Sequence, residues 1–129
     1  MQQKVLAAGY SRAQFDEAQK EWMKYGVTIH GEADISDAVL ELLEHNDYQL
    51  IILFCEGDFL ALLEVIRGLA EAPVLVIRPQ YDGAEKVMAI NAGADEYIGW
   101  PETAGESVAS GRALIRRCEG AGPQGRPFF

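Results

Sequence analysis

Five times along this chain, a short continuous run of apolar residues gives way to a longer stretch whose apolar residues recur every third or fourth position. That alternation restricts the fold more than any other feature. The short runs are Lys4 to Ala8, Val27 to His30, Leu50-Ile51-Ile52-Leu53-Phe54-Cys55, Val74-Leu75-Val76-Ile77 and Glu96 to Trp100. Their length and β-branched content read as strands. The stretches between them carry helix signals. Ser11 with Gln14 has the pattern of a capping box, and Phe15, Ala18, Trp22 and Tyr25 follow at helical spacing until Gly26. Asp34 is placed to cap a second helix, with Ile35, Ala38, Val39 and Leu42 on one face, Glu41, Glu44 and His45 outward, and an end near Asn46. A third helix, Phe59 to Ala70, aligns Phe59, Leu62, Leu63, Ile66 and Leu69. The fourth runs from Ala84 to Asn91 and closes at Gly93; the fifth, after Pro101, runs from Thr103 to Cys118.

Strands that are apolar throughout, rather than at alternate positions, must be covered on both faces. Together with the strand-helix alternation this predicts an α/β fold: a flavodoxin-like, doubly wound sheet of five parallel strands in the order 2-1-3-4-5, with helices on both faces. A length of 129 residues suits one such domain. Chemistry in this architecture sits at the carboxyl ends of the strands. The positions that decide function are therefore Gly9-Tyr10, Phe54-Cys55, Arg78-Pro79 and Trp100-Pro101.

A formal charge of −9 argues against this segment gripping a nucleic-acid backbone, which needs clustered Lys and Arg. There is no apolar run of membrane-spanning length, and the polar start Met1-Gln2-Gln3-Lys4 is not a cleavable signal, so a cytoplasmic location is expected. Cys55 and Cys118 suggest neither a disulfide framework nor a zinc site; both are expected as free thiols, Cys55 as a small buried hydrophobe. His30 reads as structural, Met23 and Met88 as packing residues, and Asp82-Gly83 as a turn before the fourth helix. Glu56 and Asp58 read as loop-surface carboxylates. The sequence offers no glycine-rich phosphate loop, no nucleophile with a base and no metal cluster, so neither an enzyme nor a cofactor is expected.

Three stretches carry a resemblance. Asn91-Ala92-Gly93-Ala94-Asp95-Glu96-Tyr97-Ile98-Gly99-Trp100-Pro101 is similar to the signature E-A-G-A-D-D-Y-L-T-K-P, and Tyr48-Gln49-Leu50-Ile51-Ile52-Leu53-Phe54 to Y-D-L-I-I-L-D. Arg112-Ala113-Leu114-Ile115-Arg116-Arg117 looks like the matching final-helix ending. Over residues 4 to 117 the chain thus resembles receiver domains of bacterial two-component response regulators of the OmpR/PhoB, winged-helix type, and the resemblance implies their CheY-like fold. In that family an aspartate accepts phosphate, and its position here is Phe54. The paired acidic residues that hold Mg²⁺ fall on Gly9 and Tyr10, the Ser or Thr after the fourth strand on Arg78, and the lysine before the last proline on Trp100. The resemblance therefore implies an atypical pseudo-receiver, because transfer to a carboxylate needs an acceptor, a divalent cation and a cation for the developing charge. Phe54 and Trp100 are expected to pack where aspartate and lysine would meet. Arg78 is expected either over an aromatic face, or in an anion-binding role, or as a surface arginine whose stem covers apolar area.

The same resemblance implies a homodimer through the fourth helix, fifth strand and fifth helix, with Lys86, Glu96, Glu106, Arg112 and Arg117 as candidate dimer-face charges; Ser110 stands where an arginine is usual. Tyr97 holds the family's switch-tyrosine position, and with Arg78 in place of Ser or Thr it is expected to be fixed by packing. Residues 1–119 are expected to form the receiver-like domain. Residues 120–129, with linker composition and ending in Phe128-Phe129, are expected to lead to a missing effector, a winged-helix DNA-binding domain through which alone DNA would be contacted. The implied function is phosphorylation-independent signal input to a transcriptional regulator, with a sensor kinase or another protein as further partner and no membrane partner. The alternative is a small-molecule sensor or protein-interaction module using the emptied crevice.

Overall fold

The computed structural model describes residues 3–32, 37–101 and 103–121. Strands β1 (Lys4–Ala8), β2 (Thr28–Glu32), β3 (Leu50–Phe54), β4 (Val74–Arg78) and β5 (Glu96–Gly99) alternate with helices α1 (Arg12–Met23), α2 (Asp37–His45), α3 (Leu60–Leu69), α4 (Gly83–Ala92) and α5 (Ala104–Ala121). The strands make one sheet in the order β2-β1-β3-β4-β5, and every neighbouring pair is parallel, as the alternation predicts.

Alternate side chains of a strand point to opposite faces, and here both faces are dry. Leu50, Ile52 and Phe54 join Val5, Ala7, Leu75 and Ile77 in a core closed by Ala18 and Trp22 of α1 and by Val108, Leu114 and Ile115 of α5. Ile51 and Leu53 join Leu6, Ala8, Val74 and Val76 in the other, closed by Val39 and Leu43 of α2, Leu63 and Ile66 of α3 and Ala89 of α4. All five residues of β3 are buried, which explains why its sequence shows no polar position.

Local chemistry sets the helix ends. Gln14 N–H donates to Ser11 Oγ at 3.2 Å, and Gln14 Oε1 accepts from Ser11 N–H at 2.9 Å, completing the capping box of α1. Asp82 Oδ1 accepts from the N–H groups of Ala84 and Glu85 and so starts α4, one residue earlier than expected, at Gly83. Gly93, at φ +123°, stops it, and the stem of Arg67 lies where a Cβ would be.

Other boundaries and faces depart from expectation. The ladder with β1 carries β2 on to Glu32, past His30. Helix α5 extends three residues beyond Cys118, to Ala121, and so takes in the first two residues of the segment expected as linker. Asp34, Ile35 and residues 122–129 lie outside the described residues. Met23 and Met88 do not pack inward: they are 66% and 53% exposed. Each sits about 100° round its helix from a buried neighbour, Trp22 or Ala89, and so beyond the narrow stripe that faces the sheet. Leu69 and Tyr25 are likewise on the outside.

Gly111 marks the closest approach of α5 to the core, since a Cβ there would meet Leu50 Cδ2 at 2.7 Å and the buried Trp22 ring at 2.9 Å. Gly111→Ala is expected to lower stability by about 1–3 kcal/mol through overpacking. Gly68→Ala, on the exposed side of α3 with open space around its Cβ, is expected to raise it by about 0.5–1 kcal/mol. Urea unfolding of the two variants beside the parent measures both, and equal midpoints would show that α5 does not rest on Trp22 as described.

Candidate functional site

The carboxyl ends of β1, β3, β4 and β5 converge on one edge of the sheet, and the four predicted segments meet there. Gly9 turns the chain out of β1 at φ +91°, its N–H held by Glu32 O at 2.8 Å. Tyr10 then enters the α1–α5 side of the sheet. Its ring stands edge-on to Phe54, at 6.1 Å between centroids, and edge-on to Trp100 at 6.0 Å. Phe54 and Trp100 lie 4.6 Å apart with planes inclined by 34°. Tyr10 and Phe54 are buried, while Trp100 caps the cluster and is 41% exposed. Such ring pairs contribute about 0.5–1.5 kcal/mol each beyond their area. Burial raises the Tyr10 phenol well above its ordinary pKa, a hydrogen bond with Ser107 only partly opposing this, so it stays neutral.

On the opposite face of the same edge, Arg78 anchors a polar network. Nη1 donates to Cys55 O at 2.6 Å and to Gly57 O at 2.7 Å, both in the turn after β3. Nε and Nη2 donate to the two carboxylate oxygens of Glu85, at 2.7 and 3.2 Å. The guanidinium lies 4.9 Å over the Phe59 ring. Arg78 is thus no surface arginine: its side chain is 15% exposed, and the aromatic face it covers is Phe59 rather than the Phe54–Trp100 pair. Tyr97, buried and edge-on to Tyr81 at 5.7 Å, donates its O–H to Glu85 Oε1 at 2.5 Å.

The charges in this network follow from its contacts. The Tyr97 and Arg78 hydrogen bonds hold the Glu85 carboxyl below its usual range. Burial, and then the bond to that carboxylate, push Tyr97 up to about 12. Burial pushes the Cys55 thiol up to about 12 despite nearby Arg78, so it is a buried neutral group rather than a nucleophile. Glu85 went unnoticed in the sequence. The available clue was an acidic residue in the first turn of the helix following a strand that ends in arginine.

The predicted dimer-face charges do not all share a face. Lys86 Nζ pairs with Glu96 Oε1 of the same chain at 3.5 Å, and Glu106 Oε2 accepts the Thr103 N–H at 3.0 Å at the start of α5. Glu106 and the exposed Arg117 are eleven residues apart and so project within about 20° of each other. Arg112 projects about 120° away from Glu106. Its guanidinium lies 3.7 Å over the Tyr25 ring, which places it on the α1 side and removes it from the predicted set. Elsewhere, His30 Nδ1 and Tyr48 Oη share a hydrogen bond at 2.8 Å, the structural role expected of His30. Asp58 Oδ1 accepts the Leu60 N–H at 3.2 Å, and Glu56 and Cys118 are exposed. Among the described residues, no three His, Cys, Asp or Glu side chains group as a metal site, and no helix is long and apolar enough to cross a membrane.

No family model matches the chain. Individual proteins do. The transcriptional regulatory protein KdpE of Mycobacterium tuberculosis is 39% identical over 64 residues, covering 50% of this chain and 28% of that protein. The response regulator ArlR of Staphylococcus saprophyticus is 32% identical over 108 residues, covering 81% of this chain and 48% of that protein. The chain therefore spans less than half the length of either relative. Among solved structures, the CheY-like receiver domain protein of Methanospirillum hungatei superposes with a TM-score of 0.82 at 18% identity, over 95% of this chain and all of that one. An atypical orphan response regulator, described as having a phosphorylation-independent regulatory mechanism, superposes with a TM-score of 0.72 at 21% identity, over 88% of this chain and 95% of that one. In sequence this chain is similar to response regulators over part of their length, and in topology it has the CheY-like fold of receiver domains.

Proposed function

We propose that this receiver-like domain is an atypical regulatory module that takes its input by contact instead of through an aspartyl phosphate. One observation carries the reading: Tyr10, Phe54 and Trp100 pack on one another at the positions where the resemblance puts an acidic metal ligand, the phosphate acceptor and the lysine. Phosphoryl transfer to a carboxylate requires an in-line oxygen nucleophile, a divalent cation and positive charge for the equatorial oxygens. Three rings supply none of these. Mg²⁺ does not fit here either, because Gly9 and Tyr10 bring no carboxylate to the site and the Tyr10 phenol is held neutral by burial. The described phosphorylation-independent mechanism of one structural neighbour supports the same reading.

The output fits a transcriptional regulator acting in the cytoplasm, with DNA contacted by an effector domain and the input delivered by a sensor kinase or another protein. Association of two copies would use the α4–β5–α5 face, where Lys86, Glu96, Glu106 and Arg117 remain after Arg112 is withdrawn. Val87 and Ile90 of α4, 60% and 39% exposed, would add apolar area to that contact. A small-molecule sensor is the second reading: the aromatic cluster occupies the α1–α5 side of the crevice, and a cavity of about 420 Å³ beside it is lined by Glu56, Arg78, Tyr81, Asp82 and Glu85.

Incubation with acetyl phosphate and Mg²⁺ is expected to leave the intact mass unchanged, and beryllofluoride to leave the amide spectrum unchanged; stoichiometric acid-labile phosphate would refute the reading. Phe54→Asp is not expected to restore phosphorylation. It is expected to cost about 3–5 kcal/mol of stability, because a carboxylate would replace a buried ring in an apolar cluster.

Sedimentation across salt concentrations tests the dimer. Association is expected to weaken as salt rises, Glu106→Lys to lower the dimer population, and Lys86→Glu in that background to restore part of it. A monomer at every concentration, indifferent to both changes, would leave these charges as a solvated face.

A further inference from the structure

We propose that Arg78 is a positioning residue: it braces the start of α4 against the turn after β3 and, through Glu85, holds Tyr97 inward, fixing α4 in one arrangement without any covalent modification. This deepens, and rests on, the reading that the crevice works without a phosphoryl group.

The brace joins four segments through two side chains, Arg78 and Glu85. Cys55 and Gly57 follow β3, Arg78 ends β4, Glu85 lies in the first turn of α4, and Tyr97 belongs to β5. Four of the five N–H donors of the guanidinium are used, two on turn carbonyls and two on the Glu85 carboxylate. Only a planar fork meets these partners together, and a lysine ammonium cannot present the same geometry. Stacking on Phe59 fixes the plane of the fork.

Glu85 is the hinge of the arrangement. Its Oε1 accepts from both Arg78 Nε and the Tyr97 O–H. Without the Glu85 carboxylate the buried phenol would keep only the Asp82 backbone as partner, so Glu85 is the charged group that holds Tyr97 inward. Asp82, capping α4 through the Ala84 and Glu85 N–H groups, makes the first turn rigid enough to transmit this hold. The same helix carries the exposed Val87, Met88 and Ile90, so the brace fixes how these side chains are presented to a partner.

Relaxation dispersion and amide exchange on the ¹⁵N-labelled chain test this directly, with Arg78→Lys, Glu85→Gln and Tyr97→Phe as variants. The parent is expected to show no millisecond exchange at residues 56–59, 83–88 or 97. Arg78→Lys and Glu85→Gln are each expected to introduce it there, with amide exchange in 83–86 at least about tenfold faster, while the β1 and β3 amides stay protected. The double variant is expected to match the stronger single one, because both changes break the same linkage. Tyr97→Phe, which keeps the ring and removes only the hydroxyl, is expected to mobilise Tyr97's own strand end and the first turn of α4, and leave 56–59 quiet. Two outcomes would overturn the brace: variants as quiet as the parent, or a uniform loss of protection through the whole sheet, which marks a merely structural residue. Phosphate on the parent chain, read separately by mass, would instead sink the phosphorylation-independent reading, so the two failures are distinguishable.

Discussion

Burial of β3 on both faces is the contact on which the rest of this molecule depends. Each of its five side chains is removed from water, a contribution of about 1.5–3 kcal/mol apiece for residues of this size. Three of the five, Leu50, Ile52 and Phe54, are buried on the side of α1 and α5, and two, Ile51 and Leu53, on the side of α2, α3 and α4. A strand in this position leaves no room for a slipped register, because moving it by one residue would exchange the two cores. The parallel neighbours and the crossover helices follow from that requirement.

The same parity divides the carboxyl edge into two chemically different halves. Phe54, the last residue of β3, points to the α1–α5 side and completes the aromatic cluster with Tyr10 and Trp100. Arg78, the last residue of β4, points the other way, toward Phe59 and Tyr97. One side of the crevice is therefore built from apolar contact and the other from a charged network. No cation is needed to hold either together, because the rings carry no charge and the carboxylate of Glu85 is neutralised within the chain.

A half-buried pair such as Arg78–Glu85 gives little net stability, since the desolvation of both charges offsets most of their attraction. What it supplies is direction. The bidentate contact and the two carbonyl bonds permit one orientation of the guanidinium, and the short bond from Tyr97 permits one orientation of the phenol. The result ties α4, a helix that buries only Ala89, to the body of the domain at its first turn. Without such a tie the helix would be held chiefly by the narrow contact through that residue.

The strand runs, the helices and the sheet order were legible in the sequence because each rests on short-range chemistry. Short continuous apolar runs and period-3.6 patterns choose the backbone, Ser11 with Gln14 caps a helix wherever it occurs, and Gly93 ends one because of its own φ. Two members of the aromatic cluster, Phe54 and Trp100, were expected from the positions the resemblance gives them; the part of Tyr10 in it was not. What the sequence left open were choices between two sides of one element. Arg112 reads as one more charge on α5, and only the rotation of that helix over Trp22 and Leu50 turns it toward Tyr25. Met23 and Met88 are apolar residues in amphipathic helices, and only the width of the buried stripe puts them outside. Glu85 has no pattern of its own; it gains a role because β4, α4 and β5 bring Arg78 and Tyr97, seven and twelve residues away, to one carboxylate. Local pattern fixes what each segment becomes. Helix rotation and strand register, which depend on the packing of all the segments together, decide which side chains meet.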